Sequence, residues 1–176
     1  MGCGINHTPD AMIDLPATPQ TVLAKVIVPA LALLPANMDT PEARAMLVAI
    51  GGQESGYRTR QQNGGPARGM WQDERPVEQL LLTNQASAAE VHALCKSRAV
   101  APVASDMYWA VGTDDVFAAG IARLILWCDL EPLPAVGDQD AAWACYLRVW
   151  GPGKPRPADW PANYRAALAA VTGASA

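Results

Sequence analysis

The stretch 50–72 reads IGGQESGYRTRQQNGGPARGMWQ, and one acid, Glu54, stands near its start. Just upstream, Ala43, Met46, Leu47 and Ile50 recur at the spacing of one helix face. That run opens on Thr40-Pro41-Glu42: a hydroxyl cap, a proline at the first helical position, and an acid in the first turn. Gly56 is well placed as its left-handed cap. Glu54 continues the apolar face instead of opposing it, which predicts partial burial. Gly51 and Gly52 leave room for another backbone or a ligand to come close. From Tyr57 to Gly69 the chain turns polar and glycine-rich, a shaped loop.

The same helical signals extend in both directions. Thr18-Pro19 starts a helix that carries Val22, Leu23, Val26, Ile27, Ala30 and Leu33 inward, kinks at Pro29 and stops at Pro35. Residues 1–17 have no periodicity and read as an irregular arm before a domain spanning 18–176. Downstream, a short apolar piece at 77–82 precedes a capping box at Ser87 to Glu90, which opens a helix to about Arg98. Another short segment follows over 102–110. Thr113-Asp114-Asp115 caps a helix over 114–128 that is apolar almost all round and therefore central. Further helices span 138–149 and about 160–171, joined by a rigid Gly- and Pro-rich turn at 151–157. The reading is one all-α domain.

Bulk properties narrow the function. Hydrophobic residues make up 51% of 176, with a single phenylalanine and no long β-branched alternation, in keeping with a helical core. A net charge of −4 gives no general footprint for nucleic acid. Cys3, Cys95, Cys128 and Cys145 form no CxxC pair, and His7 and His92 stand at no ligand spacing, so neither a metal nor a cofactor is expected. Cys95, Cys128 and Cys145 fall in apolar helical stretches and read as buried thiols. Residues 1–14 lack a basic start followed by an apolar run, so no signal peptide is expected. The apolar run 21–34 is short and holds Lys25 and Pro29, so no membrane span is expected. Met-Gly-Cys at the start does not fit an acylation signal, because Asn6 stands where Ser or Thr belongs.

Glu54 combines burial with the negative end of its helix dipole. Both disfavour the carboxylate and raise its pKa, the setting of a general acid. The same position suits a structural glutamate paired with Arg58, Arg60 or Arg68. The flanking residues decide between these. Gln53-Glu54-Ser55-Gly56, followed by Gly69-Met70-Trp71-Gln72, resembles the soluble lytic transglycosylase and goose-type lysozyme superfamily. Within it, GGPARGMWQ and the later RLILWCDLEPLP and YLRVWGPGKPRP look most like small muralytic proteins of bacteriophages. In that family a helix ends in Glu-Ser with the glutamate as catalytic acid, and a Gly-Leu-Met-Gln type segment lines a sugar groove.

The resemblance implies a lysozyme-like helical domain that cleaves the β-1,4 bond between N-acetylmuramic acid and N-acetylglucosamine. Glu54 would be its acid. Gln53, Ser55, Met70 and Gln72 would line the groove, and Trp71 would stack on a sugar face. Arg58, Arg60 and Arg68 are candidates for peptide or lactyl carboxylates, with solvated loop charges as the alternative. Many family members support the acid with the tyrosine of a Tyr-Asn-Ala-Gly type motif. Here the matching region reads Tyr146-Leu-Arg-Val-Trp150-Gly-Pro-Gly153, so Tyr146 either reaches Glu54 from one turn earlier or is a core tyrosine with a bonded hydroxyl. A hydrolytic route would need a second carboxylate, for which Asp73 and Glu74 are the neighbours. The implied setting is a phage particle or a lysis enzyme acting on host periplasmic peptidoglycan, with other virion proteins as possible partners. A virion structural or adaptor protein on the same fold, with catalysis weak or lost, is the alternative.

Overall fold

A computed structural model describes residues 12–74 and 76–173. Cys3, His7 and most of the expected arm lie outside the described residues. The helices are α1 (Pro19–Val22), α2 (Val28–Leu31), α3 (Pro41–Ser55), α4 (Pro76–Thr83), α5 (Ala88–Ser97), α6 (Ala104–Val111), α7 (Asp115–Trp127), α8 (Gln139–Trp150) and α9 (Trp160–Thr172). A π turn, Leu23–Ile27, joins α1 to α2, and a 3-10 turn, Ala36–Met38, precedes α3. The described residues form no β-strand, only isolated bridges from Arg68 to Gln61 and Asp73. The architecture is all-α. No helix among the described residues is long and apolar enough to cross a membrane.

The caps form largely where the local chemistry places them. Thr18 accepts from the Thr21 amide at 3.1 Å, Thr40 from Ala43 at 3.2 Å, and Asp114 from Phe117 at 2.9 Å. Gly56 ends α3 at φ +58°. Ser87 departs from the capping box. It is fully buried, and its hydroxyl donates to the Leu81 carbonyl at 2.8 Å, satisfying the end of α4 instead of the start of α5. Just before Pro29 the helix passes through the π turn, in which the Val28 amide reaches back to the Leu23 carbonyl. Leu33, expected inside, is 37% exposed, while Leu31 and Leu34 are buried. The helix has already ended at Leu31, so Leu33 falls in the following turn and out of the stripe.

α7 is enclosed as expected, with Phe117, Ile121 and Leu124 fully buried. A single apolar core runs from Val22 through α3 and α7 to Ala167 on α9. α3 packs against α9, α7 and the π turn, so its middle turns are buried on every side. That is why Gln53, off the predicted stripe, is more buried than Glu54 on it. Cys95 and Cys145 are buried free thiols, whereas Cys128, at the end of α7, is only half-buried.

The space left by Gly51 and Gly52 is taken by the protein itself. A Cβ on Gly51 would stand 2.6 Å from a ring carbon of Tyr57, whose hydroxyl is anchored on the Val48 carbonyl. A Cβ on Gly52 would stand 3.2 Å from the amide oxygen of Asn163 on α9. Gly51→Ala is therefore expected to destabilise the fold by about 1–3 kcal/mol, because a buried ring must shift. Gly52→Ala meets a more adaptable side chain and costs less. Urea unfolding of both variants checks the order.

Candidate active site

Glu54 projects from the last turn of α3 into a cleft of about 870 Å³. The walls come from the 62–74 loop (Gln62, Gln72, Glu74), the start of α4 (Pro76, Val77), α7 (Ile125) and α8 with its following turn (Tyr146, Trp150, Arg156). A smaller depression, lined by Gly52, Ser55 and Asn163, adjoins it and shares Glu54 and Arg156. The acid thus sits where two depressions meet.

Tyr146 donates its hydroxyl to Glu54 Oε1 at 2.6 Å. It is also a core tyrosine, 2% exposed, so the two roles left open by the sequence are one. Its ring stacks on Trp160 at 5.2 Å and 16°, and lies 5.2 Å from Trp143. Trp160 in turn stacks on Tyr164 at 5.9 Å and is pinned through its indole N–H to the Gln139 carbonyl. The hydroxyl is aimed by this stack of rings from α8 and α9. The sequence carries its trace in the i, i+3 and i, i+4 aromatic pairs Trp143/Tyr146 and Trp160/Tyr164.

Burial raises the pKa of Glu54. The Tyr146 hydrogen bond and the positive charge of Arg156 oppose that rise, and the negative charge of Glu74 adds to it. Asp73 is 3% exposed, and its Oδ2 has no hydrogen-bond partner. Burial, then the charges of Glu78 and Glu54, hold its carboxyl well above the ordinary range. Burial thus favours its protonated form. Asp73, one of the two acids expected as a possible second carboxylate, does line the cleft with Glu54. The other expected acid, Glu74, is exposed on the cleft wall.

The remaining expected site residues divide. Gln72 lines the cleft, and its amide donates to the Gly69 carbonyl at 2.7 Å. Ser55 lines the side depression; its hydroxyl donates to the Gly51 carbonyl and accepts from the Tyr57 amide, each at 3.1 Å. Gln53 is 1% exposed and clasps rather than displays. Its amide donates to the Arg156 carbonyl at 2.9 Å, its Oε1 accepts from Asn163 at 2.8 Å, and Arg156 donates to its backbone carbonyl. Three segments are tied together directly beside the acid.

Met70 and Trp71 are corrected outright: both are 0% exposed. The Trp71 indole donates to the Leu47 carbonyl at 2.9 Å, so its ring anchors the loop on α3 and offers no face to a sugar. The indole on the cleft wall is Trp150, which donates to the Trp71 carbonyl at 3.0 Å. Arg68 stacks on Trp109 at 4.0 Å and Tyr108 at 5.0 Å, away from the cleft wall. Arg60 forms a bidentate pair with Asp115, and Arg58 is exposed outside the cleft. Among the described residues, the cations that do line the cleft are Lys154 and Arg156. They sit in the 151–157 turn, inside the YLRVWGPGKPRP stretch that carries the resemblance, but neither was singled out from the sequence.

Among the described residues no group of three or more His, Cys, Asp or Glu is placed to hold a metal ion. Comparisons with models of protein families, with curated proteins and with solved structures return no match to this chain.

Proposed function

We propose that the protein cleaves the β-1,4 bond between N-acetylmuramic acid and N-acetylglucosamine in peptidoglycan, as a lytic transglycosylase of phage origin. The observation that carries this reading is a glutamic acid, Glu54, held by a buried tyrosine at the junction of two open depressions. A polymer lying across both would bring a glycosidic oxygen to that acid.

In the proposed reaction Glu54 donates its proton to the glycosidic oxygen, the C1–O4 bond breaks, and the N-acetyl carbonyl of the muramyl sugar steadies the oxocarbenium-like C1. Glu54, now a carboxylate, accepts the proton of the C6 hydroxyl as O6 bonds to C1. The ring closes without water and the acid is restored. Burial favours the protonated start, while Tyr146 and Arg156 favour the carboxylate, which keeps both states within reach. Burial disfavours the carboxylate form of Asp73, which weighs against it as the base for an attacking water. Digestion of purified sacculi checks the reading: anhydromuropeptides, one water lighter than hydrolysed products, are expected. Hydrolysed products alone would assign a lysozyme, with Glu74 as the candidate base. Release of nothing, by folded protein, would favour the structural virion role.

Two variants probe the acid's surroundings. Tyr146→Phe removes a hydrogen bond to a charged group and is expected to slow cleavage by about ten- to a hundredfold. Because that bond favours the carboxylate, its loss raises the pKa of Glu54, and the alkaline limb of kcat/KM moves to higher pH. A profile that keeps its position would separate the tyrosine from the acid. Asp73→Asn is expected to retain activity and to alter stability with pH. The folded state holds a proton on Asp73 that the unfolded chain releases near the ordinary carboxyl pKa, about 4. Wild-type stability from this group is full below that value and declines as pH rises toward the folded pKa. The asparagine variant lacks the decline, so chemical unfolding at stepped pH should show it gaining on wild type toward neutrality.

A further inference from the structure

Arg123 lies inside the central helix α7 and is 2% exposed. Its Nε donates to the Met38 carbonyl at 2.8 Å, and its guanidinium carbon stands 5.2 Å from the Trp127 ring centre. Its Nη1 is buried and has no hydrogen-bond partner. The acid whose charge acts on it is Asp39, but both Asp39 oxygens are taken by Arg44, at 2.6 and 2.8 Å. Burial pushes Arg123 down to about 10. A buried cation without its own counter-ion is costly, and an orphaned donor on it calls for a cause.

A cavity of about 610 Å³ lies against this arginine, bounded by the 3-10 turn, the start of α3, the end of α7 and the segment 129–135. Leu126, Trp127, Pro132 and Leu133 give it an apolar wall, and Thr40 and Glu42 a polar one. Asp129 and Glu131 also border it, but both are engaged by Arg148 at 2.6 and 3.1 Å. Glu42 is half-buried at the start of α3 and takes part in no ion pair among the described residues. A simple anion would satisfy Arg123 yet meet the acids around it. A simple cation would meet Arg123 itself. A ligand carrying both charges matches the two charge types in this lining, Arg123 and Glu42.

We propose that this cavity binds a small amino-acid zwitterion, with the carboxylate on Arg123, the ammonium on Glu42 and an apolar side chain against Trp127 and Leu133. The site is separate from the Glu54 cleft and shares none of its lining residues. Calorimetric titration of the full chain with leucine, N-acetyl-leucine and leucinamide tests it. Leucine is expected to bind saturably, one per chain. Each blocked analogue should bind at least about tenfold more weakly, the size set by a lost charge-assisted contact. Glu42→Gln, in the first turn of α3, should weaken leucine by a similar factor while lowering the thermal midpoint only slightly, and Arg123→Met should abolish binding. If the methionine variant does not fold, the glutamine variant decides. Absence of saturable heat, equal binding of the blocked analogues, or unchanged leucine affinity in Glu42→Gln would each overturn the proposal.

Discussion

Glu54→Gln is expected to reduce the release of soluble fragments from purified sacculi by about a hundred- to ten-thousandfold, the span assigned to a positioned proton donor. The fold should survive. Glutamine has nearly the same shape, and its carbonyl oxygen can still accept the Tyr146 hydroxyl that now meets Oε1 at 2.6 Å. The ring stack behind Tyr146 is untouched. The variant also drops a carboxyl that burial penalises when charged, so its stability near neutral pH should equal or exceed that of wild type. Circular dichroism, urea unfolding and fragment release from one preparation check all of this. Equal activity in the two proteins would remove Glu54 from the chemistry and the proposed function with it.

Asp115→Ala is expected to have the largest effect on stability, about 3–5 kcal/mol, in the range for breaking a buried pair by removing one partner. Arg60 Nε bonds Asp115 Oδ1 and its Nη2 bonds Oδ2, both at 2.6 Å. The Ile13 amide donates to Oδ2 at 2.9 Å, and the same Arg60 Nη2 donates to the Ile13 carbonyl at 2.5 Å. The Asp115 side chain is 1% exposed and that of Arg60 18%. One carboxylate therefore fastens residue 13, the loop after α3 and the first turn of α7. Alanine would strand the guanidinium and an amide at once. Asp129→Ala makes a contrast, because its partner Arg148 is 36% exposed and the pair stands at the surface. Its removal should cost about 1 kcal/mol or less. Comparable urea midpoints for the two variants would show that the Asp115 junction does not hold these segments together.

The sequence disclosed what its near neighbours decide. Helix starts at Thr18, Thr40 and Asp114 depend on contacts within three residues, and they stand where the caps predict. The enclosure of α7 was legible because its residues are apolar on all sides. Ser87 misled because the carbonyl it satisfies belongs to the preceding helix, reached through packing rather than sequence distance. Trp71 misled for a related reason: an aromatic beside a motif suits a sugar or a core equally, and only the position of Leu47 settles it. At the site, the helical phase of Glu54 foretold its partial burial. That Gln53 would be spent holding Arg156 and Asn163 was not legible, since both partners lie more than a hundred residues on. Arg156 itself stands in a proline-rich turn with no periodicity to place it.

The hydrogen bond between Tyr146 and Glu54 joins residues 92 apart in the chain, and the clasp on Gln53 spans 103 and 110. Contacts of such separation carry a large loop-closure entropy and form after local helices do. A chain emerging from the ribosome therefore displays Glu54 long before α8 and α9 exist to orient it. Until Asn163 has been added the acid has neither its hydroxyl donor in place nor the second side of its cleft. The protein is synthesised before the surroundings of Glu54 are complete, and they are assembled only when the last helix docks against α3.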